Sequence, residues 1–243
     1  MRLDKFLAAA GVCSRRESAA LIRSGTVWVG GQPARSGSQP FDPEKETAAV
    51  DGNKIVYRKY RYVMLNKPEG VVSATEDSRE KTVLDLFPEE YRRAELFPCG
   101  RLDKNTSGLL LLTNDGKLSH RLLAPKRGVE KEYRFQTKFP VSDEDLQTLS
   151  QGVEIETGYR TKPCLARRTG EKEGYLTLTE GKYHEVKLML KAVHNQVTFL
   201  ERVRFGGLRL DETLPRGGFR ELTAEEIALL RKTAGLAESG QTE

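Results

Sequence analysis

The chain has few of the residues that bind metals or form disulfide frameworks. Its 243 residues include three cysteines and three histidines. The cysteines, Cys13, Cys99 and Cys164, lie far apart, and neither a C-x-x-C pair nor a histidine at ligand spacing accompanies them. An odd number of widely spaced cysteines is typical of structural thiols rather than of a disulfide scaffold or a zinc site. The sequence therefore predicts no metal and no disulfide.

Long apolar runs and nucleotide-binding signatures are also missing. No hydrophobic stretch approaches the roughly 18 residues needed to span a bilayer, and the segment Met1-Arg2-Leu3-Asp4 lacks the apolar core of a secretion signal. No nucleotide, flavin or metal motif is present, so we expect a cytoplasmic protein without a cofactor and without membrane contact. With 37% hydrophobic and 31% charged residues, the composition is typical of a globular chain with one large or two unequal domains.

Positive charge is concentrated near the N-terminus. Of the formal net charge of +5, residues 1–35 contribute +4, because six basic residues there are opposed only by Asp4 and Glu17. Charge this uneven indicates a polyanionic partner, usually RNA or DNA, although a solvated charged face is the alternative. The six basic residues are Arg2, Lys5, Arg15, Arg16, Arg23 and Arg35.

The basic head has the pattern of two short helices followed by a strand turn. Apolar residues at helical spacing predict a first helix within residues 3–10. Ser14 and Glu17 form a capping-box pattern that predicts the start of a second helix. Arg15 and Arg16 fall in its first turn, where cations beside free N–H groups suit phosphate oxygens. We therefore interpret this turn as a phosphate clamp.

The rest of the chain reads as a second, larger domain. Breakers and polar residues at 36–46 mark the end of the head, and the boundary is placed near residue 60. Strand patterns with interspersed helices fill residues 61–232, and residues 233–243 are expected to be a disordered tail. The chain is therefore predicted to be α+β, with a small N-terminal domain and a larger domain built on a mixed, mainly antiparallel sheet flanked by helices. Predicted strands are 62–65, 131–138, 152–156, 175–179 and 197–210, and predicted helices are 82–87, 117–123, 142–150, 183–194 and 223–232.

One segment joins a carboxylate to a buried strand. It runs Gly100-Arg101-Leu102-Asp103-Lys104-Asn105-Thr106-Ser107-Gly108 and continues into four leucines and Thr113-Asn114-Asp115-Gly116. Four consecutive leucines predict a strand covered on both faces, so Asp103 is expected in a loop at its edge. The neighbouring cations Arg101 and Lys104 favour the ionised carboxylate, which makes Asp103 a candidate nucleophile. The same residue types also make an ordinary tight turn.

This segment resembles the G-R-L-D-x-x-T-S-G-L-L-L-L-T-N-D-G signature of RNA pseudouridine synthases, and within them the RsuA family, which modifies ribosomal RNA. Roughly the first 45 residues resemble the small RNA-binding module first described in a small-subunit ribosomal protein. The resemblance implies that Asp103 is the catalytic aspartate. It also implies that the head binds an RNA backbone through its cations Arg2, Lys5, Arg15, Arg16 and Arg23.

Two further segments resemble the same family and supply candidate site residues. Lys131-Glu132-Tyr133 resembles its K-x-Y segment, which implies that Tyr133 packs on the target base; core packing is the alternative for a tyrosine on a strand. Glu180-Gly181-Lys182-Tyr183-His184-Glu185-Val186-Lys187 resembles E-G-K-x-H-Q-V-K/R, which implies that Lys187 reaches Asp103; an ordinary surface lysine is the alternative. Glu185 departs from the usual glutamine, and Leu188 replaces a common basic residue.

Two other resembling segments receive weaker interpretations. Lys67-Pro68-Glu69-Gly70-Val71-Val72-Ser73 resembles the family's K-P-x-G-x-x-S segment beside the active cleft, and no catalytic role is assigned to it. The strand pattern from Arg202 to Leu210 resembles R-V-x-x-G-x-L-x-L and is expected to help line the pocket, although core packing explains its alternation equally well.

The reaction implied by the resemblance is the isomerisation of uridine to pseudouridine, which needs no redox or group-transfer cofactor. The target base must first be turned out of its stack, at a cost of a few kcal/mol, and Arg101 is expected to fill the vacated space or hold the flanking phosphate. The Y-H-x-V-K motif and the lead-in Arg127–Lys131 favour 16S rRNA, or an assembly intermediate that contains it, as the partner. We expect the protein to be a monomer. The alternatives are a 23S rRNA target, a non-catalytic ribosome assembly factor, and an aspartate hydrolase, for which no paired-carboxylate motif is evident.

Overall fold

The chain folds into two compact units. The computed structural model describes residues 1–55 and 59–236, so residues 237–243 of the predicted tail lie outside the described residues. One unit comprises Met1–Arg61 with Leu84–Leu96, and the other comprises Tyr62–Val83 with the chain from Phe97 onward. Leu84–Leu96 therefore groups with the N-terminal unit, which a single boundary near residue 60 does not describe. Within the described part of the chain, no helix has both the length and the apolar character needed to cross a bilayer.

The N-terminal unit combines short helices with a small antiparallel sheet. Side chains from both main helices and the first strand, among them Phe6, Ile22 and Val27, form one buried apolar cluster. The sheet order is β2-β1-β3-β4. The helices are α1 (Leu3–Ala9), α2 (Ser18–Arg23) and α3 (Glu89–Arg92), and the strands are β1 (Val27–Val29), β2 (Gln32–Pro33), β3 (Ala48–Val50) and β4 (Asn53–Lys54).

The predicted capping pair before α2 is formed. The Ser14 N–H donates to Glu17 Oε2 at 2.7 Å, and the Glu17 N–H donates to Ser14 Oγ at 3.2 Å. The α-helix itself begins only at Ser18. Arg15 and Arg16 therefore lie in the turn that precedes α2, rather than in its first turn as the sequence predicted.

The larger unit is built on a mixed sheet in the order β13-β5-β7-β11-β8-β10-β9, with β12 paired to β11 and β6 paired to β7. Among the strands of the described residues, β7 and β11 are parallel and the other pairs are antiparallel, which confirms the predicted fold class. The strands are β5 (Tyr62–Lys67), β6 (Phe97–Pro98), β7 (Ser107–Thr113), β8 (Lys131–Thr137), β9 (Leu165–Gly170), β10 (Glu173–Leu178), β11 (Val197–Phe205), β12 (Leu208–Arg209) and β13 (Phe219–Glu221), and the helices are α4 (Gly116–Leu123), α5 (Asp143–Ser150), α6 (Glu185–Ala192) and α7 (Ala224–Thr233).

Some predicted elements differ from those observed. Residues 152–156 form a loop rather than a strand, and their one ladder contact among the described residues is an isolated bridge between Glu154 and Arg160. Val153 and Ile155 of this loop are both buried. Alternating burial in a loop mimics the period of a strand. The predicted strand 197–210 is a hairpin of β11 and β12, and the predicted helix 82–87 is a 3-10 turn at Val83–Leu86. The sequence did not predict β9 or β13.

The strand with four leucines lies at the centre of the larger unit. Leu109 to Leu112 are all fully buried, as the sequence predicted. Leu109 and Leu111 pack with side chains of α4 and α7 in one apolar cluster, and the alternation of a strand directs Leu110 and Leu112 to the opposite face. A second cluster joins α5 and α6 to β8, β10 and β11. The side chains packed on both faces of β7 fix the position of this strand, and therefore also the end of the loop that precedes it.

Candidate active site

Asp103 lies in the loop of residues 101–106 that leads into β7. At the start of β7, Gly108 is paired with Arg202 of β11. Gly108 has a φ of +99°, and a Cβ added to it would lie 2.3 Å from the main-chain oxygen of Arg202. Only glycine permits this conformation and this close approach of two backbones. The glycine of the signature segment therefore fixes where the Asp103 loop joins the sheet.

A buried lysine holds the main chain of this loop. Lys67 is fully buried at the end of β5, and its Nζ donates to the carbonyl oxygens of Asp103 at 3.0 Å and Thr106 at 2.9 Å. It also donates to the carbonyls of Pro68 and Lys104 at 3.0 and 3.3 Å. Burial lowers the pKa of Lys67 to about 8, although the negative charge of Asp103 opposes this effect. Lys67 is thus a positioning residue, a role that the sequence analysis did not assign.

The segment that begins at Lys67 also binds the Asp103 loop through its other end, at Ser73. Ser73 Oγ donates to the carbonyl of Leu102 at 2.8 Å and accepts from the Leu102 N–H at 3.0 Å. The Gly70 N–H donates to the carbonyl of Lys104 at 2.9 Å. The K-P-E-G-V-V-S segment, interpreted from sequence as a turn beside the cleft, therefore fastens the Asp103 loop at several points.

The carboxylate of Asp103 faces Lys187 of α6 and His184, the residue that precedes α6. Its Oδ2 accepts from Lys187 Nζ at 2.8 Å, and its Oδ1 lies 3.7 Å from His184 Nε2. The structure thus brings together Asp103 and Lys187, which are 84 residues apart. Its sequence neighbour Lys104 instead pairs with Glu80 at 2.7 Å, so the expectation that Lys104 supports the carboxylate is wrong.

Asp103 opens onto a cavity of about 410 Å³. Pockets for small ligands have volumes of roughly 300–1,000 Å³, and the side chain of Asp103 is 28% exposed, so a ligand can reach it. Arg101 lies on the cavity and is exposed, where a phosphate or a flanking base can contact it. The other polar side chains that line the cavity include Lys131, Tyr133, Glu180, His184, Glu185 and Arg202.

Tyr133 and Arg202 form a cross-strand pair on the wall of this cavity. They are directly opposed in the antiparallel ladder of β8 and β11, so their side chains share one face of the sheet. Tyr133 is half-buried, and burial raises the pKa of its hydroxyl, while the charge of Arg202 opposes the rise. Tyr133 also packs against the cluster under α5 and α6, so core packing is observed, and contact with a target base stays a prediction.

Two carboxyl groups meet beside the start of α6. Glu185 is buried, and its Oε2 accepts from the Lys182 N–H at 2.7 Å. Burial, with the nearby charge of Glu180, raises the pKa of Glu185 to about 7. Burial also acts to raise the pKa of Glu180, but hydrogen bonds from the Lys162 N–H and the Tyr159 hydroxyl hold it below its ordinary value. The departure from glutamine at Glu185 therefore adds an acid of nearly neutral pKa to the cavity wall.

Comparison with known proteins identifies the family of this chain. Residues 61–192 match the family of RNA pseudouridylate synthases, and residues 1–46 match the S4 domain. The chain belongs to the RNA pseudouridylate synthase family. The resemblances of the signature segment and of the head are thereby confirmed, and the protein is an isomerase of RNA.

Relatives of this synthase are similar along nearly its whole length. An uncharacterized RNA pseudouridine synthase of Bacillus subtilis is 50% identical over 96% of the chain and 99% of that protein. The ribosomal small subunit pseudouridine synthase A of Vibrio cholerae is 42% identical over 96% of the chain and all of that protein, and its Escherichia coli counterpart is 40% identical over 94% and 99%. A crystal structure of a pseudouridylate synthase covers 95% of the chain and 99% of its own, with 34% identity and a TM-score of 0.67.

The S4 domain of the synthase carries the predicted basic residues at its surface. Arg2 pairs with Asp4 at 2.7 Å, and Arg15 lies 3.5 Å from the same carboxylate, so one acid serves two arginines. The pKa of Asp4 is lowered mainly by its hydrogen bond with Arg2. The remaining predicted cations are exposed and have no acidic partner within residues 1–55 and 59–236: Lys5, Arg16 and Arg23.

Sequence reasoning missed several side chains of the synthase's cavity. The side chains of Lys67 and Ser73 bind main-chain atoms, most of them in the Asp103 loop. Their signal in the sequence was a lysine and a serine on either side of a proline turn. Arg202 was interpreted only as part of a pocket-lining strand, although an arginine inside an apolar alternation is itself unusual. These residues act through burial, which sequence spacing alone does not distinguish from exposure.

Proposed function

We propose that this cytoplasmic synthase converts one uridine of 16S ribosomal RNA to pseudouridine, with Asp103 as the nucleophile. The relatives from Vibrio cholerae and Escherichia coli, which carry the name ribosomal small subunit pseudouridine synthase A, support the choice of RNA because they align with nearly the whole chain. An RNA-binding domain fused to the catalytic unit suits a large folded RNA as substrate.

The observation that carries the catalytic assignment is the ion pair of Asp103 and Lys187 at the cavity. The 2.8 Å contact keeps a cation on the carboxylate without closing its access to the cavity. This charge-assisted hydrogen bond orients the carboxylate, which is the group proposed to attack the sugar. This chemistry does not need the second acid that an aspartate hydrolase requires.

The proposed reaction leaves the composition of the RNA unchanged. In one route a carboxylate oxygen of Asp103 bonds to the sugar's anomeric carbon while the bond to uracil N1 breaks, and the electron pair leaves with the base. Uracil then turns, its C5 bonds to the anomeric carbon, and the aspartate is released. Loss of the C5 proton and gain of a proton at N1 complete the isomerisation. In the other route Asp103 first removes a sugar proton to give a glycal.

The surrounding side chains support the entry of a flipped base. A uridine in folded RNA must leave its stack before Asp103 can reach its sugar, at a cost of a few kcal/mol. Tyr133 offers a ring on the cavity wall for stacking, and Arg101 at the cavity offers a guanidinium to the vacated stack or the flanking phosphate. The cations of the S4 domain add sequence-independent affinity for phosphates.

Mapping of pseudouridine on 16S and 23S rRNA tests the proposal. We expect wild-type protein to modify one uridine of 16S rRNA, either free or in an assembly intermediate, and Asp103→Asn to modify none. The matched control is Asp143→Asn, an exposed acid on α5, which is expected to retain activity. A modified site found only in 23S rRNA would replace the proposed target, and an active Asp103→Asn protein would remove the proposed nucleophile.

The contribution of the S4 domain has its own measurement. Replacing exposed Arg16 by Gln is expected to weaken RNA binding and to reduce the slope of log K against log salt by about 0.7–0.9, the contribution of one phosphate contact. Lys45→Gln, which removes an exposed lysine already paired with Asp42, serves as the control. An unchanged salt slope for Arg16→Gln would exclude this residue from the RNA contact.

A further inference from the structure

We infer that Arg202 is a further catalytic residue, whose guanidinium donates to a carbonyl oxygen of the target uracil and stabilises the base when its bond to the sugar breaks. The inference rests on the proposed function, because it requires a uridine in the cavity beside Asp103.

Arg202 is a buried cation without a carboxylate partner. Its residue surface is 2% exposed, and its Nε donates to the carbonyl of Leu109 at 2.9 Å. Its Nη2 has no hydrogen-bond partner, and the guanidinium forms no ion pair in the part of the chain that the structure describes. An unpaired buried charge is costly, so natural proteins pair it or use it. Arg202 lines the cavity, where a bound ligand can supply the missing acceptor.

The position of Arg202 matches the proposed placement of the base. It opposes Tyr133 across the ladder of β8 and β11, so the charge and the stacking ring lie on the same face of the sheet. The register shifts immediately after it, between Arg202 and Arg204, as in the bulges that redirect side chains near active sites. Its backbone also contacts Gly108, which joins it to the Asp103 loop. A base stacked on Tyr133 thus has Arg202 beside it and Asp103 near its sugar.

The other charged groups on this wall do not neutralise Arg202. Lys131, two residues from Tyr133 on β8, also lines the cavity, and its Nζ donates to the carbonyl of Val129 at 2.9 Å. Burial and the charge of Arg202 both lower the pKa of Lys131. Glu185, which lines the same cavity, has a pKa raised to about 7, and neither Glu185 nor Glu180 forms an ion pair with Arg202 in the described part of the chain. Arg202 and Lys131 are therefore two basic side chains on this wall, and Arg202 has no counter-ion among the described residues that line it.

A guanidinium without a counter-ion suits the leaving group of the proposed reaction. When the bond from the anomeric carbon to N1 breaks, the electron pair stays with uracil, and the negative charge spreads to its carbonyl oxygens. A fixed guanidinium in a site of low dielectric stabilises this charge as it forms and needs no reorganisation. The same contact retains the base while it turns to present C5. Both routes open to Asp103 produce this anion.

A double-mutant cycle tests the contact between Arg202 and a carbonyl oxygen of uracil. It combines a substitution of the side chain with a single-atom substitution in the base. Single-turnover rates are measured for wild type and Arg202→Met on RNA that carries uridine, 2-thiouridine or 4-thiouridine at the target position, because sulfur accepts hydrogen bonds poorly. Arg202→Met is expected to slow uridine conversion roughly 10²- to 10³-fold, as removal of a charge-stabilising donor does, with RNA affinity nearly unchanged. One thio substitution is expected to slow wild type but not Arg202→Met. Arg209→Met, an exposed arginine on β12, is the matched control.

Each outcome decides the inference. Additive effects of Arg202→Met and both thio substitutions, or a wild-type rate in Arg202→Met, would overturn it. If Arg202→Met does not fold, Arg202→Gln replaces it, because its amide still reaches the Leu109 carbonyl without the charge; if neither variant folds, Arg202 serves the fold and the inference is wrong. An inactive wild-type protein contradicts the proposed function instead, and so the two failures are distinguishable.

Discussion

The buried ammonium of Lys67 donates to the main-chain oxygen of Asp103 at 3.0 Å, while the carboxylate of Asp103 binds a different lysine, Lys187, at 2.8 Å. The backbone of Asp103 is thus held by the last residue of β5, and its side chain is held by α6. A reactive group fixed in this way needs little reorganisation when the substrate arrives. The separation of the two roles also makes them separately testable.

Replacing Lys67 by Met is expected to lower both stability and activity. The change leaves several carbonyls of the Asp103 loop without a donor, and each buried unsatisfied group costs about 1–3 kcal/mol. Loss of the buried charge offsets part of this cost, so we expect the free energy of unfolding to fall by roughly 2–4 kcal/mol. Urea unfolding and single-turnover rates measure the two effects. Lys126→Met, at an exposed lysine, is the control, and wild-type values for both quantities in Lys67→Met would contradict the positioning role.

Replacing Lys187 by Gln is expected to affect rate more than stability. The ion pair is partly exposed, so its contribution to folding is small. A charge-assisted hydrogen bond to the nucleophile contributes about 1.5–3 kcal/mol, which corresponds to a rate loss of roughly 10- to 100-fold. Lys191→Gln, one turn later on α6 and paired with Glu156, controls for loss of a helix lysine. Equal rates for the two variants would show that Lys187 does not support Asp103.

Replacing Gly108 by Ala is expected to disturb the sheet beside the active site. The left-handed φ of +99° and the 2.3 Å approach to the Arg202 oxygen leave no room for a methyl group. We expect a loss of at least about 2 kcal/mol in unfolding free energy, from backbone strain and displacement of β7, with loss of activity in the folded fraction. Gly116→Ala, at the start of α4 with open space around its Cα, is the control, and thermal unfolding compares them. Similar melting temperatures for the two variants would argue against the close approach.

Glu185 is expected to make stability depend on pH. Its pKa is about 7 in the folded chain against an ordinary 4.5, so the folded state holds a proton that the unfolded state releases between these values. Stability therefore falls as pH rises from about 4.5 to 7 and levels off above 7, by on the order of 3 kcal/mol in total. Glu180 reinforces the shift, whereas Lys131 and the Lys182 N–H oppose it.

Glu185→Gln removes this decline while it preserves the shape of the side chain. Its unfolding free energy is expected to match wild type near pH 5 and to exceed it at pH 8. Urea titrations at pH 5, 6, 7 and 8 give the comparison, with Glu171→Gln, an exposed acid, as control. If the difference in unfolding free energy between wild type and Glu185→Gln is the same at every pH, Glu185 is not the group whose proton causes the decline.

Local patterns predicted the elements that frame the site. Four consecutive leucines identified β7 because a strand covered on both faces has no polar positions. The polar loop before it followed from the same pattern, and the helix predicted over residues 223–232 is observed as α7, where Thr223 and Glu226 form a capping box. The signature segment then directed attention to Asp103. These features are encoded within a few residues of each other.

Long-range partners were less predictable. Lys67 and Lys104 are both lysines near Asp103 or its loop, but one is fully buried beneath the loop and the other is exposed and pairs with Glu80. Lys104 is the sequence neighbour of Asp103, whereas Lys67 is 36 residues away, so proximity in sequence favours the wrong lysine. The distinction depends on the crossing of β5 and β7, which only the folded sheet specifies. For the same reason β9, a polar edge strand with few buried residues, lacked the apolar alternation that identifies a strand.

The single rung that joins Tyr133 to Arg202 makes the cavity sensitive to errors in strand pairing. If β8 slipped by one residue against β11, the aromatic ring and the guanidinium would no longer share a face, and the wall would lose both groups in one step. A misaligned sheet can keep most of its hydrogen bonds and still be catalytically inactive. For this synthase, turnover is consequently a stricter reporter of correct folding than secondary-structure content.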